Sequence, residues 1–309
     1  MPKSKSLPAN YATCKAEFVK KLNSIAYSKR SYELFRDWLE MSAIACHQMP
    51  YLSGDLERDQ TFDDLKAQYK KLEVQYKPEE LQIFGELFGI VTIALDSQFG
   101  DFLGEVYMQC EFGSDRAGQF FTPWAISILM AEMAVKGLKE KVEAQGIITI
   151  SDPACGAGGM LIATAEVMLK DGIDPRTHAQ FSAVDVDRNC FNMAYIQLSL
   201  LGLQGIVTHG NTLSLVVYEE RPTMQLRLFQ QWRSQKIQEQ KAIAAMRDFI
   251  MGAPEAENAP PILQTFEDSS TEVPPPTTVE AINQTQVAPK RSQSKKALQR
   301  DSPGQLPLF

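Results

Sequence analysis

Between Ile148 and Gly159 the chain reads ITISDPACGAGG: a β-branched run, an acid, a glycine-rich turn, then an apolar helical pattern that continues to Lys170. No other stretch restricts the fold as tightly, because a strand that passes through a glycine turn directly into a helix is how a βαβ unit opens. The alternation continues downstream. Phe181 to Asp185 reads as a strand, Arg188 to Leu201 as a helix and Ile206 to Thr208 as a third strand, giving βαβαβ, half of a doubly wound parallel sheet. A further apolar run, Leu213 to Tyr218, predicts a fourth strand, and Met224 to Met251 one long helix.

Upstream the period changes. Phe18, Leu22 and Ile25, then Leu34, Trp38, Leu39 and Met41, then Leu81, Phe84, Phe88 and Val91 recur at helical spacing, so the aromatics and methionines here read as core. The expected organisation is a helical domain over 1–112, an α/β domain over 113–251 and a tail over 252–309. The tail holds nine of the seventeen prolines, with acids first (Glu255, Glu257, Glu267, Asp268, Glu272, Glu280) and mostly bases later (Lys290, Arg291, Lys295, Lys296, Arg300). Such a composition buries too little apolar surface to offset its ordering entropy, so disorder is expected.

A net charge of −7 opposes a phosphate backbone overall, so nucleic acid would have to be met by local basic patches. Lys3, Lys5, Lys15, Lys20, Lys21, Lys29 and Arg30 form one set; Arg227, Arg233, Lys236, Lys241 and Arg247 form another. Both also fit the solvated faces of exposed helices. Five scattered cysteines (Cys14, Cys46, Cys110, Cys155, Cys190) lack the spacing of a disulfide framework or a zinc site. No apolar run reaches the length of a membrane span, since Glu86 interrupts the longest, Ile83 to Leu95. The expected setting is a reducing cytoplasm without a membrane.

The glycine turn suits an adenosyl cofactor. Gly156 and Gly158 permit a tight turn and close backbone approach, the following helix offers free N–H groups, and Asp152, with Pro153 behind it, can accept from an ammonium. A nicotinamide fingerprint would need glycine where Leu161 stands. A purely structural turn is the alternative. Asp185 ends the next strand, where a carboxylate can take both ribose hydroxyls; Asp187 competes for that role, and an acid here can equally cap the helix that starts at Arg188. Asn211, after the third strand, can bond an adenine edge or close a turn.

With these motifs in place the chain resembles the adenine-N6 DNA methylase family that includes the modification subunits of type I restriction systems. The resemblance runs through DFLGEVY (Asp101 to Tyr107), GQFFTP (Gly118 to Pro123), DPACGAGG (Asp152 to Gly159), AVDVDRNCFNMA (Ala183 to Ala194) and HGNTL (His209 to Leu213). It implies a Rossmann-like α/β methyltransferase domain, truncated, that binds S-adenosylmethionine. Phe120, Thr122 and Pro123 would line the methionine end, Asp152 and Gly156 would hold the amino acid, Asp185 the ribose, and Asn211 would face the adenine. It also implies DNA as substrate and a partner subunit.

One departure bears on activity. The family's Asn-Pro-Pro-aromatic motif, which positions a flipped adenine, is not found: after Leu213 the chain runs SLVVYEERPTMQLRLF. Asn258-Ala259-Pro260-Pro261 lies in the tail with no strand before it and no aromatic after it. The carboxyl end, Gln305-Leu306-Pro307-Leu308-Phe309, resembles the peptide that binds the bacterial sliding clamp, with Gln305, Leu306, Leu308 and Phe309 as contacts. A similar string, QLRLF at 225–229, falls within the long helix, where Leu226 and Phe229 are expected to be core. Three functions are compatible with these features: a methyltransferase with a divergent or partner-supplied catalytic loop, a non-catalytic cofactor-binding regulator, and a clamp-recruited DNA accessory factor.

Overall fold

The computed structural model describes residues 10–26, 30–110, 112 and 121–251. Five helices come first: α1 (Tyr11–Ser24), α2 (Ser31–Ser53), α3 (Gln60–Glu73), α4 (Pro78–Ser97) and α5 (Phe102–Gln109). Then follow α6 (Trp124–Ala134), α7 (Leu138–Gln145), β1 (Ile148–Asp152), α8 (Gly159–Lys170), α9 (Pro175–His178), β2 (Ala179–Asp185), α10 (Arg188–Leu200), β3 (Gly205–Asn211), β4 (Val216–Pro222) and α11 (Met224–Met251). The chain is mostly helical around one mixed sheet of order β1-β2-β3-β4. The terminal peptide, with Gln305, Leu306, Leu308 and Phe309, lies outside the described residues, as does the rest of the tail. No described helix is long and apolar enough to cross a membrane.

The expected helical half has an aromatic centre. Phe18 of α1 meets Trp38 of α2 edge-on at 5.0 Å and Phe102 of α5 at 5.8 Å, while Phe35 stacks on Trp38. The Trp38 indole donates to the Phe84 carbonyl of α4 at 3.0 Å, so its one polar atom is satisfied inside the core.

α10 joins this helical cluster to the sheet. One side packs on β2 and β3, the other on α2, α4 and α5, which leaves almost the whole helix buried. The Tyr195 hydroxyl meets His47 Nδ1 of α2 at 3.1 Å. Arg188 bridges Glu40 of α2 and Glu219 of β4. Burial would raise the Glu40 carboxyl, but the Arg188 guanidinium and the Asn192 amide hold it below its ordinary range. The described residues up to Arg247 accordingly form one compact unit.

β1, β2 and β3 are parallel, in the register Asp152↔Ala183 and Asp185↔His209. Both crossovers lie on one face, α8 over β1 and α10 over β2 and β3. The opposite face has no helix among the described residues, and its side chains suit that: Thr149 and Ser151 are exposed, and Gln180 and Ser182 half-buried. Strands buried on both faces read as continuous apolar runs; these alternate. Among the described residues the sheet is therefore covered by helices on one side only.

The fourth strand differs from expectation in place. Leu213 to Leu215 form the turn, with Leu215 at φ 56°, and the strand begins at Val216, antiparallel to β3. Only Thr212 to Leu215 separate the two strands, too few for a parallel crossover. In α11, Leu226 is buried as expected, but Phe229 is half-buried and lines a surface cleft with Trp232.

Because Trp38 ties α1, α2 and α4 together, Trp38→Ala is expected to cost about 3–5 kcal/mol in a urea titration, a large part of an ordinary domain's stability.

Candidate functional site

The glycine turn is fixed from four directions. Asp152 Oδ1 accepts from Ala154 N at 3.1 Å, and the Thr212 hydroxyl donates to the Pro153 carbonyl at 2.6 Å, so the β3–β4 turn rests on the end of β1. Cys155 N donates to the Val184 carbonyl of β2 at 2.9 Å. Gly156 N donates to Asp185 Oδ2 at 2.8 Å. Gly156 and Gly158 have φ of 54° and 89°, which L side chains rarely adopt. A Cβ on Gly156 would also lie 2.9 Å from the ring of Phe121.

Asp185 and Asp187 separate cleanly. Asp187 is the N-cap of α10, its Oδ1 accepting from Asn189 N at 2.8 Å and Cys190 N at 3.0 Å. Asp185 instead turns toward the glycine loop and accepts from Gly156 N and, through Oδ1, from Asp187 N at 2.8 Å. Burial, with Asp187 and Asp152 nearby, raises its carboxyl above the ordinary value despite both amide bonds. The register puts Asp152, Asp185 and Asn211 at the carboxyl ends of three adjacent parallel strands, on the face that α8 and α10 cover. That is where open α/β sheets bind ligands. α8 begins there with no side-chain cap, so its first N–H groups are available.

Asn211 is engaged in the turn: its Oδ1 accepts from Leu213 N at 3.0 Å and Ser214 N at 3.1 Å, leaving the Nδ2 group as a donor. Thr122 and Pro123 are exposed just ahead of α6. Phe120 lies outside the described residues. Its neighbour Phe121 is the ring that lies against Gly156 and, at 5.3 Å, Tyr107; the paired phenylalanines of GQFFTP were the signal for it. Burial pushes the Cys155 thiol well above its ordinary value, which removes it as a nucleophile at neutral pH. In the α11 stripe, Arg227 turns inward, donating to the His47 carbonyl at 2.7 Å and lying over the Tyr51 ring, while Arg233, Lys236 and Lys241 are on exposed turns.

Two residues that sequence reasoning missed hold the turn from behind. Asp101, at the N-terminus of α5, accepts from Gly104 N at 3.0 Å and from the Gln197 amide of α10 at 2.9 Å. Gln197 also donates to the Ala157 carbonyl at 2.8 Å and accepts from Leu103 N at 2.9 Å. A Cβ on Gly159 would lie 2.8 Å from the Asp101 carboxylate. The third glycine of the run is therefore required by a buried acid.

Residues 99–238 match the N-6 DNA Methylase family model. This stretch belongs to the N-6 DNA methylase family. The family segment thus runs from just before α5 into α11 and takes in Asp101, the glycine turn, Asp185, Gln197 and Asn211. Two solved structures are similar to the chain. One is a proposed class I S-adenosylmethionine-dependent methyltransferase from Listeria monocytogenes, with 16% identity, TM-score 0.32, and coverage of 62% of this chain and 52% of that one. The other is the type I restriction-modification system methyltransferase subunit from Streptococcus thermophilus, with 15% identity, TM-score 0.34, and coverage of 62% and 56%. The chain spans about half the length of each. No curated protein matches it.

Burial raises the Asp101 carboxyl to about 6 from 3.8, with Glu105 adding to the effect and the Gln197 and Gly104 bonds opposing it. Between those two values the folded chain binds more protons than the unfolded chain, so this group costs the fold stability as pH rises from about 4 to about 6. Asp101→Asn keeps an acceptor for Gly104 and Gln197 but cannot ionise. Its stability relative to the parent should therefore climb over that window by up to about 3 kcal/mol, as read from urea midpoints at a series of pH values; a difference independent of pH would refute the assignment.

Proposed function

We propose that the chain binds S-adenosylmethionine across the carboxyl ends of β1, β2 and β3, as a component of a DNA adenine-N6 methylase. One observation carries this: Asp185 and the Gly156 N–H face each other across a positive-φ glycine turn that opens onto an uncapped helix N-terminus. Asp185 keeps lone pairs for two ribose hydroxyls. Asp152, with Oδ1 held by Ala154, presents Oδ2 to an ammonium, and the first N–H groups of α8 suit a carboxylate. Asn211 presents Nδ2 to the adenine, and Phe121 with Thr122 and Pro123 borders the methionine end. The bound cofactor would supply an electrophilic methyl group; the residues described here hold and orient it.

Isothermal titration with S-adenosylmethionine tests this reading. Saturable heat is expected, and Asp185→Ala should weaken binding by about 1–3 kcal/mol. No heat at millimolar cofactor would remove the reading.

Methyl transfer is a separate matter. Adenine methylation needs a group that orients the exocyclic amine, and among the described residues no Asn-Pro-Pro-aromatic sequence follows a strand. β4 instead doubles back along β3 and ends at Glu219-Glu220-Arg221-Pro222. The pure chain is therefore expected to transfer no label from tritiated cofactor to mixed-sequence DNA; methyladenine in the product would show that another residue takes the role. The terminal peptide Gln305 to Phe309 extends the proposal to the sliding clamp, which would hold the folded part near DNA at high effective concentration.

A further inference from the structure

Asp101 sits where two helices begin. It is the N-cap of α5, and its buried side chain lies against Gly159, the first residue of α8. The two carboxylate oxygens are used differently. Oδ1 takes both hydrogen bonds, from Gly104 N at 3.0 Å and from Gln197 Nε2 at 2.9 Å. Oδ2 is the atom nearest Gly159, 2.8 Å from where a Cβ would stand, and it accepts no hydrogen bond among the described residues. A proton on this carboxyl therefore belongs on Oδ2, facing the start of α8.

The groups around it leave that proton to Asp101. Glu105, one turn along α5, is paired with Lys15 of α1. The Tyr11 hydroxyl of α1 and the Cys155 thiol of the glycine turn are held neutral by burial, with Asp101 adding to the effect on each. α10 contributes the uncharged Gln197 amide, the first turn of α8 has no acid, and Asp96 near the end of α4 is exposed. Burial raises the Asp101 carboxyl to about 6, with the Gln197 and Gly104 bonds opposing it and Glu105 adding to it. A new charge nearby is then enough to change its protonation close to neutral pH.

We propose that Asp101 couples proton uptake to the binding of a carboxylate at the start of α8, so that the cofactor's amino-acid end is held more tightly when Oδ2 is protonated. The coupling rests on the cofactor reading, in which that carboxylate meets the first N–H groups of α8. An ionised Asp101 and a bound carboxylate would share one helix N-terminus, and two like charges in a buried site are ionised together only at a cost. The neutral acid removes the conflict and leaves the N–H groups to the ligand. By linkage, a bound carboxylate raises the Asp101 carboxyl further. Binding then takes up a proton between the free and bound values, and affinity falls as pH rises through that window. Asp101 acts here as a positioning residue, through α8 and the turn rather than by touching the cofactor.

The test titrates the full chain calorimetrically with S-adenosylhomocysteine and with 5′-methylthioadenosine, which keeps the adenosine and the sulfur but has no carboxylate. The ratio of the two affinities cancels the titration of Asp185, whose ribose contacts both ligands share. That ratio is expected to fall roughly fivefold or more in favour of the longer ligand between about pH 5 and about pH 7.5. Protonation of Asp152, which meets only the longer ligand, would move the ratio the other way. In Asp101→Asn the ratio should stay level over the same range. A second measurement leaves the protein unaltered: near the Asp101 value of about 6, heats in MES and in bis-Tris should differ by the proton uptake for S-adenosylhomocysteine and not for 5′-methylthioadenosine. If neither ligand binds at any pH, the cofactor reading falls and the coupling with it. If S-adenosylhomocysteine binds with no proton uptake, or the ratio is level in the parent or changes equally in Asp101→Asn, the coupling is overturned while the cofactor reading stands.

Discussion

The buried amide of Gln197 is the interaction on which the rest of the site depends. Its two N–H groups go to Asp101 and the Ala157 carbonyl, and its oxygen accepts from Leu103 N. One side chain of α10 thus fixes the start of α5 and the middle of the glycine turn together. A buried primary amide with donors and acceptor all used holds its partners in one arrangement, because losing any bond would strand a polar group in the core. The turn's shape then follows: Asp101 presses on Gly159, Phe121 on Gly156, and Asp185 takes the Gly156 N–H.

The same helix explains why the amino-terminal helices and the sheet form one unit. α10 is buried nearly all round, with Phe191, Met193, Ala194, Tyr195, Ile196 and Leu198 among its apolar residues, so it has neighbours on both sides. The sheet supplies one and α2, α4 and α5 the other. Strands β1 and β2 follow the opposite rule. Threonine, serine and glutamine alternate with their buried residues, and the face those polar residues occupy is without a helix among the described residues.

Much of this was legible in the sequence where the forces are local. The bounds of α8 and of α11 follow their apolar periodicity and the glycines that precede α8, and the first three strands are found where β-branched and aromatic runs predict them. The fourth strand was misplaced because Leu213 and Leu215, which read as strand core, are almost fully exposed in a hairpin turn. Hydrophobicity marks a strand only when one face is buried, and here it is not. The shortness of Thr212 to Leu215 did carry the antiparallel sense.

The sequence by itself determined the strand-turn-helix around Asp152, the positions that must be glycine for positive φ, and the acids at the strand ends, since each depends on neighbours within a few residues. Tertiary structure decided which acid does what. Asp187 and Asp185 differ by two positions and read alike in sequence, yet one caps α10 and the other faces Gly156, because the strand register aims Asp185 at a loop 29 residues earlier. It also decided that the Gln197 amide donates to Asp101, 96 residues away, and that the two hold the turn, a contact that no local pattern encodes because chain folding alone brings α5 against α10.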